Sequence, residues 1–457
     1  MTAPTRAGAP PEDVTLGYLV PEFPGQTHAF FWREVAALER AGARTVLLST
    51  RRPPRPAAHP WAAAATARTT YLADASPRAL VTAATVLVRA TVTGRAPGVL
   101  REARAAAAGA TGSRARRAAR AAGLTLAAAR LAALARAGGW SHVHVHSSGD
   151  AAQVAALARL LGGPAYSLTL HGPLADYGGN QRGKWRGATF GLVITEGLRR
   201  DLRAALGPDL PATLAVAPMG VDPDAPGRAH PYRPWPGAGP LRLVSCGRLN
   251  PAKGHDDLVR AVRLLVDRGL DARLVVLGED EDGGAGYRRG LESLVAELGL
   301  ADRVHLPGAV GEDRVRAELA GAHLFALASH AEPLGVAVME ALAAALPVVV
   351  CTGGGVGELV DDGRTGLLVP PRDPVALADA VARVAADPAL ATALGTAGRW
   401  HVLAGYGSDR GAATLLGLVA ARGAAAARTA GAAPVPRAAP TRARPRPVAA
   451  PADGGPR

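Results

Sequence analysis

LRLVSCGRLNPAKGHDDL, Leu241 to Leu258, decides the fold. An apolar run of strand length ends at Cys246, a glycine turn follows, and apolar residues then recur at helical spacing. The same strand–turn–helix unit repeats downstream. A helix over His255 to Arg268 leads to ARLVVLGED, a helix over Gly286 to Leu298 leads to RVHLPG, and a helix after Glu312 leads to AHLFALASH. PVVVCT and TGLLVP continue the alternation. Upstream, VTLGYLV (Val14–Val20), the amphipathic HAFFWREVAALERAGA and RTVLLST form a second such opening. Residues 74 to 138 read as helical, with turns at Gly94–Pro97 and Gly109–Ser113. HVHVH (His142–His146), AAQVAALARLLG, AYSLTLHG, GLVITEG and LAVAPMGVD resume the alternation, and PYRPWPGAGP (Pro231–Pro240) is a stiff linker between the halves. Strands alternating with helices imply parallel sheets covered on both faces. The expected architecture is therefore α/β, two Rossmann-like doubly wound domains facing across a cleft. Ligand-binding groups should lie at the carboxyl ends of the strands.

A chain of 457 residues is too long for one ordinary core. The expected organisation is a loose segment over 1–13, an N-terminal domain over 14–230 with a helical insert at about 74–138, the 231–240 linker, and a second domain over 241–400. A helical segment over 401–421 and a disordered tail over 422–457 complete it. The N-terminus lacks a signal-peptide core, and Arg or Glu interrupts each apolar run before membrane-spanning length. A cytoplasmic protein is expected, with the inner face of the membrane as a peripheral station. Cys246 and Cys351 close separate strands and read as small core residues, not a disulfide framework or zinc cluster. The net charge is +14, of which +6 sits in 422–457 and +7 in 101–136. The second segment, Ala-, Leu- and Arg-rich at helical period, suits an anionic membrane surface, and equally a solvated helical face.

The unusual residues cluster at strand ends. Gly247, Arg248 and Lys253 follow the 241–246 strand and precede a helix, which suits a diphosphate or an ordinary basic loop. In SHAEPLGVAVMEALAAALPVVV (Ser329–Val350), Glu332 precedes a proline placed at a helix start, and Glu340 stands inside an otherwise apolar helix. A buried carboxylate requires partners. Ribose hydroxyls would supply them, unless Glu340 occupies a solvent edge. Gly353–Gly354–Gly355 before Glu358 reads as a turn able to cradle an anion or sugar. His142, His144 and His146 project in parallel along one strand, which does not suit a shared metal ion. His146, at the strand end, reads as facing the cleft. Asp256–Asp257 and Asp361–Asp362 read as solvated pairs. Aromatic residues at 4% are too scarce for nucleic-acid stacking platforms, and no nucleic-acid partner is expected. The Arg-rich tail keeps one other class in view, a non-catalytic sugar- or nucleotide-binding protein that touches nucleic acid.

GRLNPAKG, then EPLGVAVME, then GGGVGELVDDGRTGLLV resemble the donor-binding half of glycosyltransferase family 4, retaining enzymes of the two-Rossmann GT-B architecture. The resemblance spans roughly residues 240–400, and is looser upstream, through PEFPGQTHAFFWREV, HVHVHSS, TLHG and PMGVD. PEFPGQTHAFFWREVAAL points towards the exopolysaccharide, colanic-acid-like branch. The resemblance implies transfer of a hexosyl group from a nucleoside-diphosphate sugar to a glycan or lipid-linked acceptor, without metal or other cofactor. An inositol phosphate or phospholipid acceptor is the alternative. Arg248, Lys253, His171 and Glu332 would form the catalytic set. Gly247, Arg248, Lys253, Leu334, Gly335 and Glu340 would hold the donor, with Glu358 ordering the glycine loop. His28, His146 and Gly172 would face the acceptor side. That branch often carries Glu where this chain has His28, and the basic insert has no fixed counterpart.

Overall fold

The computed structural model describes residues 14–74, 76–108, 111–223, 230–280 and 286–431, with side chains placed through residue 423. The calls made on 1–13 and on the Arg-rich stretch beyond 431 lie outside the described residues. Two wholly parallel sheets organise the chain. The first contains β1 (Thr15–Glu22), β2 (Arg44–Arg51), β3 (Thr70–Tyr71), β4 (His142–His146), β5 (Ala165–Leu170), β6 (Gly191–Val193) and β7 (Leu214–Val216), in the order 3-2-1-4-5-6-7. The second contains β8 (Leu241–Cys246), β9 (Ala272–Leu277), β10 (Val304–Gly308), β11 (Leu324–Leu327), β12 (Val348–Cys351) and β13 (Leu367–Val369), in the order 10-9-8-11-12-13. Each order reverses once, beside β1 and β4 or beside β8 and β11. Those two switch points are where such sheets open a crevice.

The helices of the first half are α1 (Ala29–Arg40), α2 (Ala62–Arg68), α3 (Pro77–Val92), α4 (Ala96–Ala108), α5 (Arg114–Gly138), α6 (Asp150–Leu160), α7 (Gln181–Arg186) and α8 (Glu196–Leu206). In the second half they are α9 (His255–Asp267), α10 (Tyr287–Glu297), α11 (Glu312–Gly321), α12 (Val336–Ala343), α13 (Val356–Leu359), α14 (Pro374–Ala386), α15 (Pro388–Gly405) and α16 (Ser408–Gly431). Apolar spacing explains their docking: Phe31, Val35 and Leu38 of α1 lie on one face and are buried. The insert forms α3, α4 and α5, broken at the two glycine turns. By length and composition alone α5 could cross a membrane. Leu124, Leu131 and the alanines around them are nevertheless buried, in a helix that packs on α3, α4 and α6.

The sequence reading passed over α2 and β3, and two of the elements that it did expect differ in extent. α12 starts later than expected, at Val336, because Gly335 takes φ +100 as its N-cap; Pro333 lies outside the helix. An L side chain at Gly335 would be strained there. α16 continues ten residues past 421 and returns to the first domain, burying Ala412, Leu415 and Leu416 against the core of Leu16, Tyr18 and Val35. Its apolar stripe was legible; its partner, almost 400 positions earlier, was not.

Both edges of the crevice are bridged. On one side Gln26 Nε2 donates to the Val310 carbonyl at 2.7 Å, and Trp61 Nε1 to Glu312 at 2.8 Å. On the other, the Glu358 carboxylate accepts from the backbone N–H groups of Glu196 and Gly197, both at 2.7 Å. A carboxylate there satisfies free amides at the start of α8 and complements its dipole.

Candidate active site

The crevice encloses a cavity of about 1770 Å³, lined from both domains. That exceeds the roughly 300–1,000 Å³ of a typical small-molecule site, so two ligands can meet in it. Gly247, Arg248 and Lys253 line it beyond β8, and Glu332, Leu334, Gly335, Val336, Ala337 and Glu340 line it around the start of α12. His28, His171 and Gly172 line it from the first domain. These are most of the residues singled out by sequence, gathered from strand ends.

Their partners were less legible. Lys253 Nζ donates to Glu332 Oε2 at 2.5 Å, and Ser329 Oγ donates to the same oxygen at 2.9 Å. The side chains are 17% and 10% exposed, which places a cation–carboxylate pair against the cavity. A diphosphate arriving there would meet an ammonium already oriented by its partner. Glu340 does have the partner its apolar helix demands, and that partner is Arg33 of α1. Arg33 Nη2 lies 2.5 Å from Glu340 Oε1 and 2.6 Å from Glu312 Oε1, spanning the two domains. Burial pulls the Arg33 pKa down, but the two carboxylates outweigh it and hold it above its ordinary value. Glu312 is moved up by burial and, more strongly, down by Arg33 and Trp61, so its pKa is lowered. Sequence reasoning missed Arg33 and Glu312. The one signal was a charged Arg-Glu pair at 33–34 amid the apolar positions of α1.

Three calls are corrected by position. The Glu358 carboxylate does not bond the glycine loop, which it meets only through its backbone N–H on the Gly355 carbonyl at 2.9 Å; it caps α8 across the domain boundary and is absent from the cavity lining. The Gly353–Gly355 turn is no cradle either. Its backbone is pinned to the Glu332 segment by Glu332 N–H to Gly353 O at 2.9 Å and Gly355 N–H to Glu332 O at 2.8 Å. A Cβ at Gly354, where φ is +84, would fall 2.3 Å from the Glu332 carbonyl oxygen, so glycine serves close packing behind the site. His146 is 1% exposed and lies behind His171, not on the cavity wall.

Smaller differences follow the same lines. Cys246 lines the cavity, whereas Cys351 is buried. Asp257 pairs with His330 at 2.9 Å and Asp256 accepts from Tyr287 Oη at 2.8 Å, so this pair is structural, not solvated. Asp361 and Asp362 are exposed. His142 and His144 share the Ser167 hydroxyl, at 2.9 and 2.7 Å. Among the described residues no group of three His, Cys, Asp or Glu could hold a metal ion. His28 is pushed down to about 4 by burial and by the charges of Arg248 and His59, which places Arg248 within electrostatic reach of the first domain.

Comparison with known proteins agrees with this geometry. Residues 237–401 match the family Glycosyl transferases group 1. The chain is 36% identical over 159 residues to D-inositol 3-phosphate glycosyltransferase of Streptomyces avermitilis, covering 34% of each chain. It is 35% identical over 229 residues to GDP-mannose-dependent alpha-(1-6)-phosphatidylinositol monomannoside mannosyltransferase of Mycobacterium tuberculosis, covering 48% of this chain and 58% of that one. The matches thus span about a third to just over half of these relatives. Sucrose-phosphate synthase of Thermosynechococcus elongatus superposes with a TM-score of 0.66 at 21% identity, over 90% of this chain and all of that one. Anabaena HepE in complex with UDP and glucose superposes at 0.63 and 16% identity, over 90% of this chain and 99% of that one. The fold is that of the GT-B glycosyltransferases.

Proposed function

We propose that this chain, whose residues 237–401 form a glycosyl transferases group 1 domain, is a retaining glycosyltransferase that moves a hexosyl group from a nucleoside-diphosphate sugar to an acceptor hydroxyl. The observation that carries the reading is the convergence of Arg248, the Lys253–Glu332 pair, the open N-terminus of α12 and His171 on one cavity at strand ends. In the reaction the bond from the sugar C1 to the diphosphate oxygen breaks, the acceptor oxygen bonds to C1 on the same face, and its proton passes to the departing phosphate. Arg248, Lys253 and the first amides of α12 stabilise the charge left on the diphosphate. Glu340 holds ribose hydroxyls once Arg33 gives way, and Glu332 with the Leu334–Gly335 backbone holds the sugar. Cations from the chain itself make the reaction metal-independent. Release of nucleoside diphosphate from UDP- or GDP-hexose, with EDTA present, tests this; turnover that needs an added divalent ion, or none from any donor, contradicts it.

The acceptor is a glycan or lipid-linked glycan of envelope or exopolysaccharide synthesis, for which the PEFPGQTHAFFWREVAAL segment is the support. An inositol phosphate or phosphatidylinositol acceptor is the second reading, favoured by the names of the matched relatives. Either suits work at the cytoplasmic face of a membrane. The insert supplies the docking surface, though its apolar part is α3 rather than the arginine-rich stretch alone. Val81, Val88 and Val92 are 68%, 64% and 82% exposed, and Leu100 is 54%. Arg78, Arg89, Arg95, Arg101 and Arg104 stand exposed around them. Glu102, the one acid between residues 76 and 108, is engaged by Gln153 and Asn180. Exposed apolar residues ringed by arginine match an anionic bilayer. The protein should float with anionic vesicles and not with zwitterionic ones, and Val88→Asp with Val92→Asp should abolish flotation; binding that ignores these changes would sink the idea.

A further inference from the structure

At the carboxyl end of β2 the first domain turns a basic loop towards the crevice, and the donor site does not use it. β1 and β2 pair in register with Glu22 beside Arg51, and Arg51 Nε donates to Glu22 Oε2 at 2.6 Å. The buried Ser49 hydroxyl donates to the Arg51 carbonyl at 2.9 Å. The Arg52 guanidinium lies 4.3 Å from the centre of the Tyr71 ring. Pro53, Pro54 and Pro56 then fix the backbone of the turn and remove its N–H donors. At the far end the Ala58 N–H donates to Gln26 Oε1 at 2.8 Å, and His59 Nε2 lies 2.7 Å from the Gln26 carbonyl. Arg51, Arg52 and Arg55 all line the cavity.

The loop is held at both ends while its charges stay outside. The Arg51 side chain is 74% exposed even though it is paired, and Arg52 is exposed as well. No acid stands between Glu39 and Asp74. Adjacent guanidinium groups on a stiff turn repel each other, and an anion with several oxygens, onto which both can fork, removes that cost. The stiffness also reduces the entropy lost when such an anion binds. The sugar donor does not supply it. The donor diphosphate faces Arg248 and Lys253 beyond β8 in the second domain, and a nucleoside-diphosphate sugar has no further phosphate. An anion at the end of β2 therefore belongs to the other ligand.

We propose that Arg51 and Arg52 form a phosphate subsite for the acceptor, which carries a phosphate monoester or a diphosphate. This rests on the cleft being the sugar-transfer site, and it narrows the acceptor from any glycan to a phosphorylated one. A lipid-linked diphosphate and an inositol phosphate both offer that group. The path of the chain joins the subsite to the insert: Tyr71, beneath Arg52, belongs to the edge strand β3, and α3, with its exposed Val81, Val88 and Val92, follows at Pro77.

The test is calorimetric titration of the full chain, saturated with UDP or GDP, using two pairs of probes: geranyl diphosphate against geraniol, and inositol 1-phosphate against inositol. At least one phosphorylated probe should bind about tenfold or more tightly than its partner, since one charge-assisted hydrogen bond suffices for that ratio. Arg51→Gln with Arg52→Gln, both at exposed positions, should abolish the preference and leave UDP or GDP affinity unchanged. Lys253→Ala should keep the preference. A preference confined to geranyl diphosphate assigns the group to a lipid carrier, and one confined to inositol 1-phosphate to an inositol headgroup; either supports the subsite. Equal binding within both pairs overturns it. So does a preference that survives the double arginine variant, or one that Lys253→Ala removes, because the phosphate would then sit elsewhere. If no nucleoside diphosphate binds, the transferase reading fails, whereas the phosphate preference and its loss in the double variant still decide whether the subsite exists.

Discussion

Acid should unfold this protein well before it titrates the carboxylates, because four histidines are buried as neutral rings and two more, His28 and His171 on the cavity wall, are also held neutral. Burial lowers His28 and His255 to about 4 and His142, His146 and His171 to about 3, and places His144 well below its ordinary value. The folded values lie below the unfolded value of ~6.5, so the unfolded chain binds more protons and stability falls as pH drops from about 6.5 towards the folded values. Above pH 7 the effect vanishes. Since every folded value lies well below 5.5, the loss down to that pH depends on the unfolded value alone. Each group then costs roughly 1.2 kcal/mol between pH 7 and 5.5, and six cost about 7 kcal/mol. That is comparable to the whole stability of a typical domain, ~5–15 kcal/mol. Five of the six lie in the first domain, so it should unfold first. Denaturant titrations at half-unit steps from pH 7.5 to 5.5 measure this, with proton uptake on unfolding of about five at pH 5.5. A midpoint that stays flat over that range would refute the reasoning, since the rings would have to be charged or exposed in the native state.

Arg33→Met should release two carboxylates across the crevice. The triad is about four-fifths buried, so it should contribute on the order of 0.5–1.5 kcal/mol, between an exposed and a fully buried pair. Scattering should show a larger radius of gyration, and nucleoside diphosphate should bind about 2- to 10-fold more tightly because Glu340 is freed. Weaker binding would instead make Arg33 a ligand contact. Glu358→Ala should lose about 1 kcal/mol, as at a helix start stripped of its capping group, and leave diphosphate affinity unchanged. A drop in affinity would return Glu358 to the donor site.

Strands and most helices were legible because a fully buried parallel strand leaves an uninterrupted apolar run, as VVVC and LFAL do, and a docked helix leaves a stripe, as in α1. The cavity-lining residues of the second domain were legible because they sit beside glycines and prolines at strand ends, where unusual residue types stand out. Partnership was not legible. The argument that Glu340 needs a partner was sound, but Arg33 lies 307 positions away and nothing local ties it to Glu340. His146 read as a cleft residue because alternation along HVHVH gives its face but not its depth; pairing with β5 covers it with Thr169 and His171. The glycine triplet misled for a similar reason. A tight turn around an anion and a tight pack against another backbone need the same residue.

The most direct test of the central claim is thermal stability of the full chain with UDP, GDP, ADP and their monophosphates, alongside Lys253→Ala and Glu340→Ala. A ligand at about 100 times its Kd stabilises the native state by ~2.7 kcal/mol. The account predicts a shift selective for one diphosphate and weakened by both substitutions. Folded protein that no nucleotide stabilises would contradict it, leaving Lys253–Glu332 as an ion pair within the second domain and Arg33–Glu340 as one that only holds the two domains together.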